Sequence, residues 1–389
     1  MSTVIDLAEM PEPAEAPPRR RRFLLRLLRA VGGRVASAAE WLFGAVSLVL
    51  GLSILAALPI LQFLSLGYFL ESSARVARSG RLRDGIIGPR KAARVGGLIA
   101  GAWLATLPLW LVGSLARSAD LIDPGGPVAR AWRLGQILLT VLTLLHIGIA
   151  CARGARLRHF LWPFSDPFWL VRRLRRGGFY VEARDGLWEF VARLRLPQYL
   201  RLGFVGFVGT LVWLVPPALL IAAGGRYPAL GVIGTLLLAV VVPCLPFMQV
   251  RYAVEGRATA LFAPRAVRDR FRRAPWAFAF ALLILLVAAI PLYLLKIELI
   301  PHDAAWLESL VFVAFLAPAR LLVGWAYARA GRRYRPRHWL FRSMGRLAII
   351  PAAMLYVLVV FLAQYTSWGG VRSLYEQHAF LLPVPFLGL

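Results

Sequence analysis

Acidic residues are scarce in this chain: 19 Asp+Glu stand against 46 Lys+Arg, for a formal charge of +27 over 389 residues. Charged residues of both signs make up only 17%, where a soluble globular domain carries roughly 25%. Cysteine is nearly absent. Cys151 and Cys244 each lie in or at the end of an apolar run, without metal-ligand spacing or a disulfide framework, and read as small buried thiols. No phosphate-binding glycine loop, dinucleotide-binding glycine pattern, zincin helix or nucleophile elbow occurs. The expectation is therefore a protein that is not an enzyme and holds no cofactor or metal. The N-terminus also lacks a basic stretch followed by a short apolar segment and a cleavage site, so no removable signal peptide is expected.

What the chain has in abundance is apolar length. Hydrophobic residues make up 59%, and several runs reach the ~18–20 residues a helix needs to cross a bilayer. The runs fall at 41–67, 96–116, 134–152, 202–223, 228–250, 276–296, 306–328 and 346–365. Trp41, Trp132, Trp276, Trp306 and Trp368 stand at or near run ends, where an aromatic belt places them. Residues 1–22 read as a disordered tail, rich in Pro, Ala and Glu as far as Pro18.

The basic residues cluster between these runs, so topology accounts for them better than nucleic-acid binding, and no nucleic-acid partner is expected. Seven lie in 75–94, eleven in 153–201, seven in 251–274 and seven in 329–346. The intervening connections hold three (117–133), one (224–227) and none (297–305). Rich and poor connections alternate from the second run onward. The positive-inside rule then places the rich segments in the cytoplasm, and the poor ones with the C-terminal tail 366–389 outside.

One segment breaks the alternation. RRRRFLLRLLRAVGGR (19–34) carries seven arginines and belongs inside, yet so does the basic segment after run 41–67. A single crossing cannot satisfy both. The apolar stretch 41–70 contains Gly51 and Pro59, and a re-entrant or hairpin segment would return the chain to its starting face. A single crossing with a translocated basic N-terminus is the alternative.

The two halves echo each other at an offset of roughly 180 residues. Tyr68-Phe-Leu-Glu71 returns as Tyr252-Ala-Val-Glu255, and Arg83-Asp84 as Arg268-Asp269. Leu107-Pro108-Leu109-Trp110 returns as Ile290-Pro291-Leu292-Tyr293, and Arg158-His159-Phe160-Leu161 as Arg337-His338-Trp339-Leu340. This argues for a crossing at 41–67, against the charge pattern. The expected fold is an all-α membrane protein of about seven to eight transmembrane helices in two parallel four-span repeats, 41–223 and 228–365. Interfacial amphipathic helices are expected at 23–40 and in an insertion, 163–200. Ser165-Asp166-Pro167 is a helix start there, and PFWLVRRLRR and YVEARDGLWEFVARL alternate apolar and charged faces. Such helices lie among anionic headgroups or pack on the bundle as ordinary connectors.

No Asp or Glu falls within a span away from its ends, which lowers proton-coupled transport as a mechanism. His146 and Arg320 do lie within apolar runs, in helices that correspond under the repeat. Each is a candidate cavity residue, and each also suits a structural bond to a neighbouring helix. Tyr68 with Glu71, and Tyr252 with Glu255, share helix faces. They would line a symmetric vestibule, or serve as belt tyrosines with glutamates paired to Arg75 and Arg251. Glu182, Asp185 and Glu189 alternate with arginines and read as a solvated, salt-bridged face.

A span ending in Gly67-Tyr68, then a basic segment, then paired spans, resembles a family of uncharacterised bacterial and archaeal polytopic integral membrane proteins. The resemblance covers the first four spans and again the last four. It implies the membrane class and no particular activity. The function expected is an inner-membrane protein that binds or moves a lipid, amphiphile or anionic small molecule. A non-transporting scaffold or assembly factor acting through its arginine-rich loops is the alternative. Membrane lipids with anionic headgroups are the expected partners.

Overall fold

The computed structural model describes residues 19–154, 156–161, 166–295 and 305–366, with Gly370, Leu374, His378 and Phe380–Leu382 near the C-terminus. Every regular element among them is helical. Six helices are long and apolar enough to cross a membrane, and eight spans result if two bent helix pairs each count as one. The chain is a multi-pass membrane protein by that measure. The disordered tail expected at the N-terminus lies outside the described residues up to residue 18. Arg19–Arg22 are already helical.

Helix α1 runs from Arg19 to Ala57 without a break, so 23–40 is a continuous extension of the first span and not a separate element. It stops one residue before Leu58-Pro59. A proline lacks the N–H a continuing helix needs, and Ile60 takes a positive φ of 68°. Helix α2, Gln62–Ser79, follows and ends on Gly80. The left-handed conformation of Gly80 (φ 73°) lets its N–H reach Val76 O at 2.6 Å. Leu64, Tyr68 and Arg75 of α2 face the same cavity as Ser47, Gly51 and Leu55 of α1. Were α2 to continue straight from α1, Ser47 and Arg75 would lie ~40 Å apart. The chain therefore reverses direction at Leu58–Leu61 and runs back alongside α1.

Helices α3 (Pro89–Ile122) and α4 (Pro127–Ala152) each begin on a proline and pair with each other. After the short helix α5 (Leu157–Leu161), α6 (Asp166–Arg175) and α7 (Phe179–Leu194) fall in the segment 163–200 expected as an insertion. Phe168, Val171 and Trp188 there remain exposed, so the bundle does not cover that apolar face. Helix α8 (Leu196–Ala223) leads to the bent pair α9 (Pro228–Val241) and α10 (Leu245–Glu255), broken at Pro243 with a 45° turn. The surface helix α11 (Pro264–Arg273) meets α12 (Pro275–Leu295) at 113°. Helices α13 (Ala305–Gly331) and α14 (Trp339–Thr366) complete the bundle.

α13 is the hub. It packs on α1, α2, α10 and α12, and Val313, Leu316, Ala319, Val323 and Ala326 are buried along it. Close approach rests on small residues: a Cβ on Gly324 would lie 2.3 Å from Ser73 O, and one on Gly67 would lie 1.9 Å from Tyr199 O. α12 lies along α13 as α3 lies along α4. Elsewhere the pairing differs between the halves, since α2 packs closely on α8 whereas its counterpart α10 makes no extensive contact with α14.

The arginine-rich segments meet at one end of the bundle. Arg332 Nη2 donates to Ser79 O at 2.9 Å, Arg337 N to Arg272 O at 2.9 Å, and Lys91 Nζ to Arg193 O at 2.7 Å. The guanidinium of Arg270 lies 3.8 Å above the Tyr327 ring.

In the C-terminal tail, Leu374, His378, Phe380, Leu381 and Leu382 are buried against the bundle. The apolar Phe380-Leu381-Leu382 gains by leaving water.

Candidate functional site

A cavity of about 540 Å3 lies where α1, α2, the start of α3 and the α7–α8 junction meet. That falls within the range of small-molecule sites, roughly 300–1,000 Å3. Its walls are Leu48, Leu52 and Leu55 of α1, Leu64 of α2, and Ala92 and Val95 of α3. Four cations stand at its rim: Arg75, Lys91, Arg193 and Arg195. The local sequence explains how each arrives there. Arg75 lies one helical turn beyond Glu71, and Lys91 is in the first turn of α3 after the Gly88-Pro89 start. Arg195 occupies the left-handed junction between α7 and α8 (φ 54°), which turns the surface insertion into a span.

Two of these charges are partly satisfied. Arg75 and Arg78 both pair with the buried carboxylate of Glu71, at 3.0 and 3.1 Å, and Arg193 pairs with Glu189. Lys91 spends one proton on the Arg193 carbonyl. Arg195 has no ion pair among the described residues. The rim is thus net positive while the interior is aliphatic.

Tyr68 lines this cavity, and its hydroxyl both donates to Ile87 O (3.1 Å) and accepts from Ile87 N (3.0 Å). The ring thereby fastens α2 to the approach of α3. Glu71 serves as the anchor for two arginines and does not face the cavity. Its counterpart, Glu255, pairs with Arg251 at 2.6 Å. Tyr252 is buried in a separate apolar cluster with Leu66, Leu70 and Leu261. The two Tyr/Glu pairs therefore share no vestibule.

His146 and Arg320 are not brought together, because α4 and α13 are not packed partners. His146 is half-buried and its Nε2 lies 3.0 Å from Phe160 O, which pins α5 to α4. A carbonyl only accepts, so this nitrogen is the donor. Arg320 is buried and lies outside the cavity described above. Its Nη1 donates to Gln249 Oε1, and its Nη2 to Phe380 O (2.6 Å) and Leu381 O (3.4 Å). Gln249 Nε2 in turn donates to Thr210 Oγ1 (2.7 Å) and Leu381 O (2.9 Å). Ser73 Oγ donates to Arg320 O at 2.9 Å, the carbonyl two residues past Pro318. The Tyr356 hydroxyl meets His378 Nδ1. This network ties α2, α8, α10, α13 and α14 to the C-terminal segment, and among the described residues it satisfies a buried cation with neutral dipoles.

Gln249, Thr210 and His378 were invisible as a group in the sequence. Only Gln249 carried a signal, as a polar side chain inside the apolar run 228–250. Cys151 is exposed at the end of α4, against the expectation of burial, and Cys244 is half-buried at the α9–α10 break. Asp185 and Glu189 pair with Arg184 and Arg193, and Glu182 with Arg173. No group of His, Cys, Asp and Glu among the described residues is arranged to hold a metal. Comparison with protein-family models, with curated proteins and with solved structures returns no match.

Proposed function

We propose that this protein binds an anionic amphiphile, a phospholipid above all, at the cavity between α1, α2, α3 and α8. The observation that carries this is the combination of an aliphatic interior with the four cations Arg75, Lys91, Arg193 and Arg195 at its rim. Basic residues near a membrane surface attract anionic lipid by about 1 kcal/mol each, and an acyl chain suits the leucines below. The proposal includes the arginine-rich end facing the cytoplasm of a bacterial inner membrane, as the positive-inside rule requires. It also includes an ancestral duplication. Pro59 and Pro243, where the first helix of each half breaks, stand at equal distances before Tyr68 and Tyr252. If the halves are copies, the break became a full reversal in one and a 45° bend in the other.

Movement of the ligand across the membrane has weaker support, because Arg320 and His146 line no passage between the halves. The second role, a scaffold, draws on a different observation: the exposed Phe168, Val171 and Trp188 of the insertion, which suit a headgroup layer or another protein.

The test of binding is native mass spectrometry of the full-length protein released from detergent, after incubation with phosphatidylglycerol or phosphatidylcholine. Wild type retains the anionic lipid. K91Q/R195Q holds one of the phosphatidylglycerols bound by wild type about tenfold more weakly, and Gly51→Leu, which projects into open space on the cavity side, loses the same one. Equal retention in all three sinks the proposal. Topology is checked with single cysteines at Arg34 and Arg81 in a background lacking Cys151 and Cys244. Both label from the same side of sealed vesicles. Labelling from opposite sides would mean that the reversal at Leu58–Leu61 does not return the chain.

A further inference from the structure

A second, smaller cavity of about 190 Å3 lies at the start of α12, lined by Ala274, Pro275, Trp276, Ala277, Arg329, Arg333, Arg337 and Phe341. Its chemistry differs from that of the first. Three arginines face it from the end of α13 and the segment before α14, and none of them pairs with a carboxylate among the described residues. Arg329 lies over the Trp325 ring at 5.3 Å and Arg337 over Phe341 at 5.8 Å. Arg333 Nη1 reaches only the Arg273 carbonyl, at 3.5 Å. The nearest acid of the surface helix, Asp269, is paired with Arg272 at 3.4 Å. Burial, and then repulsion from Arg337 and Arg329, holds the Arg333 guanidinium below its ordinary range. Three like charges that converge without a counter-ion describe a site whose anion comes from elsewhere.

We propose that this cavity binds a phosphate group, carried by a phospholipid whose chains lie along α12 and α14. Planar guanidinium groups match phosphate oxygens in pairs. The first turn of α12 also lines this wall through Trp276 and Ala277, whose N–H groups precede the first intrahelical bond, from Phe278 N to Ala274 O. The volume suits a phosphate and not an acyl chain, since it equals about six waters. Trp276, Trp339 and Phe341 are exposed around the opening, which is how aromatic side chains mark headgroup depth. Both helices leading away from the site are apolar along their exposed sides, with Phe280, Leu283 and Val287 on α12 and Leu347, Ile350 and Met354 on α14. This extends the proposed lipid binding to the second half of the molecule, but it rests on different residues and stands or falls separately.

The experiment titrates full-length wild type, R333Q/R337Q and K91Q/R195Q in detergent with phosphatidylglycerol and with inorganic phosphate, counting bound species by native mass spectrometry. Wild type is expected to bind one phosphatidylglycerol that R333Q/R337Q binds about tenfold more weakly and that K91Q/R195Q retains. Inorganic phosphate alone is expected to bind poorly, which assigns the site to lipid-borne phosphate. Tight phosphate binding that blocks phosphatidylglycerol assigns it instead to a soluble phosphate and overturns the lipid. If R333Q/R337Q does not fold, Arg337→Gln replaces it, since that side chain is exposed and touches only the Phe341 ring. Equal binding of both ligands by wild type and folded variants overturns the site altogether. Loss in K91Q/R195Q alone would leave the first cavity standing without this one.

Discussion

α3 and α13 have the same mean hydropathy in their most apolar windows, yet about half of that window is buried in α13 and only 11% in α3. On α3, Trp103 and Trp110 are 60% and 73% exposed. On α13, Val313 and Val323 are sealed. Hydropathy therefore reports that a helix belongs in a membrane and says nothing about its place in the bundle. In lipid, apolar surface has no preference for protein over acyl chain. The distinction comes from what interrupts the apolar run. α13 carries Gly324 against the Ser73 backbone and Arg320 inside a polar network, and both require neighbours. α3 meets α1 and α5 through Gly96 and Gly101, whose faces abut Ser47 and Phe160, pairs with α4, and leaves its remaining face to the surroundings.

The contrast can be broken at its polar centre first. Gln249→Leu removes the acceptor of Arg320 Nη1 and the donors to Thr210 and Leu381. A buried cation that loses a partner costs about 3 kcal/mol, so unfolding in detergent shifts to markedly lower denaturant. The residues around Phe380 should become accessible to protease at the same time. An unchanged midpoint with a protected C-terminal segment would show that the network carries no weight. Next in size, Gly203→Ala places a Cβ 1.9 Å from Phe63 O. Backbone cannot yield as a side chain tip can, so α2 and α8 must separate, at about 2 kcal/mol. The smallest effect belongs to the peripheral pair. Gly148→Ala on α4 meets nothing within 4 Å and should move the same midpoint by less than about 0.5 kcal/mol. A large loss there would mean that α4 is covered by a partner, in which case its exposure is that of a subunit interface.

Much of the architecture was legible because it depends on local quantities. Apolar length located each candidate span, although the run 41–67 is broken at Leu58–Leu61. The conflict between 19–34 and 75–94 drew attention to the stretch 41–70, where the helix does break, at Leu58–Leu61; a hairpin and a single crossing both remained readings of that conflict. The site was legible only in part. Tyr68 was singled out and does line the cavity, but Lys91, Arg193 and Arg195 are far apart in the chain and looked like three of many loop cations. Glu71 was read correctly as a possible partner of Arg75, and Arg78 was missed because a seven-residue spacing also returns to the same helix face. Arg320 was conspicuous, but its partners were not, because two of them are backbone carbonyls that any residue can supply.

The sequence by itself determined the class of solvent each segment would meet, since that follows from apolar length and from the cost of placing arginine in a bilayer. It also determined which ends of the spans share a face, through the alternation of basic connections. Only the tertiary structure decided that Arg320 is a tie to the C-terminal segment and not a lining residue, and that Arg75, Lys91, Arg193 and Arg195 ring a single aliphatic cavity. The physical reason is that charge and hydropathy act on a segment wherever it lies, whereas a hydrogen bond or a cavity wall exists only once distant segments have been brought within a few ångströms of each other.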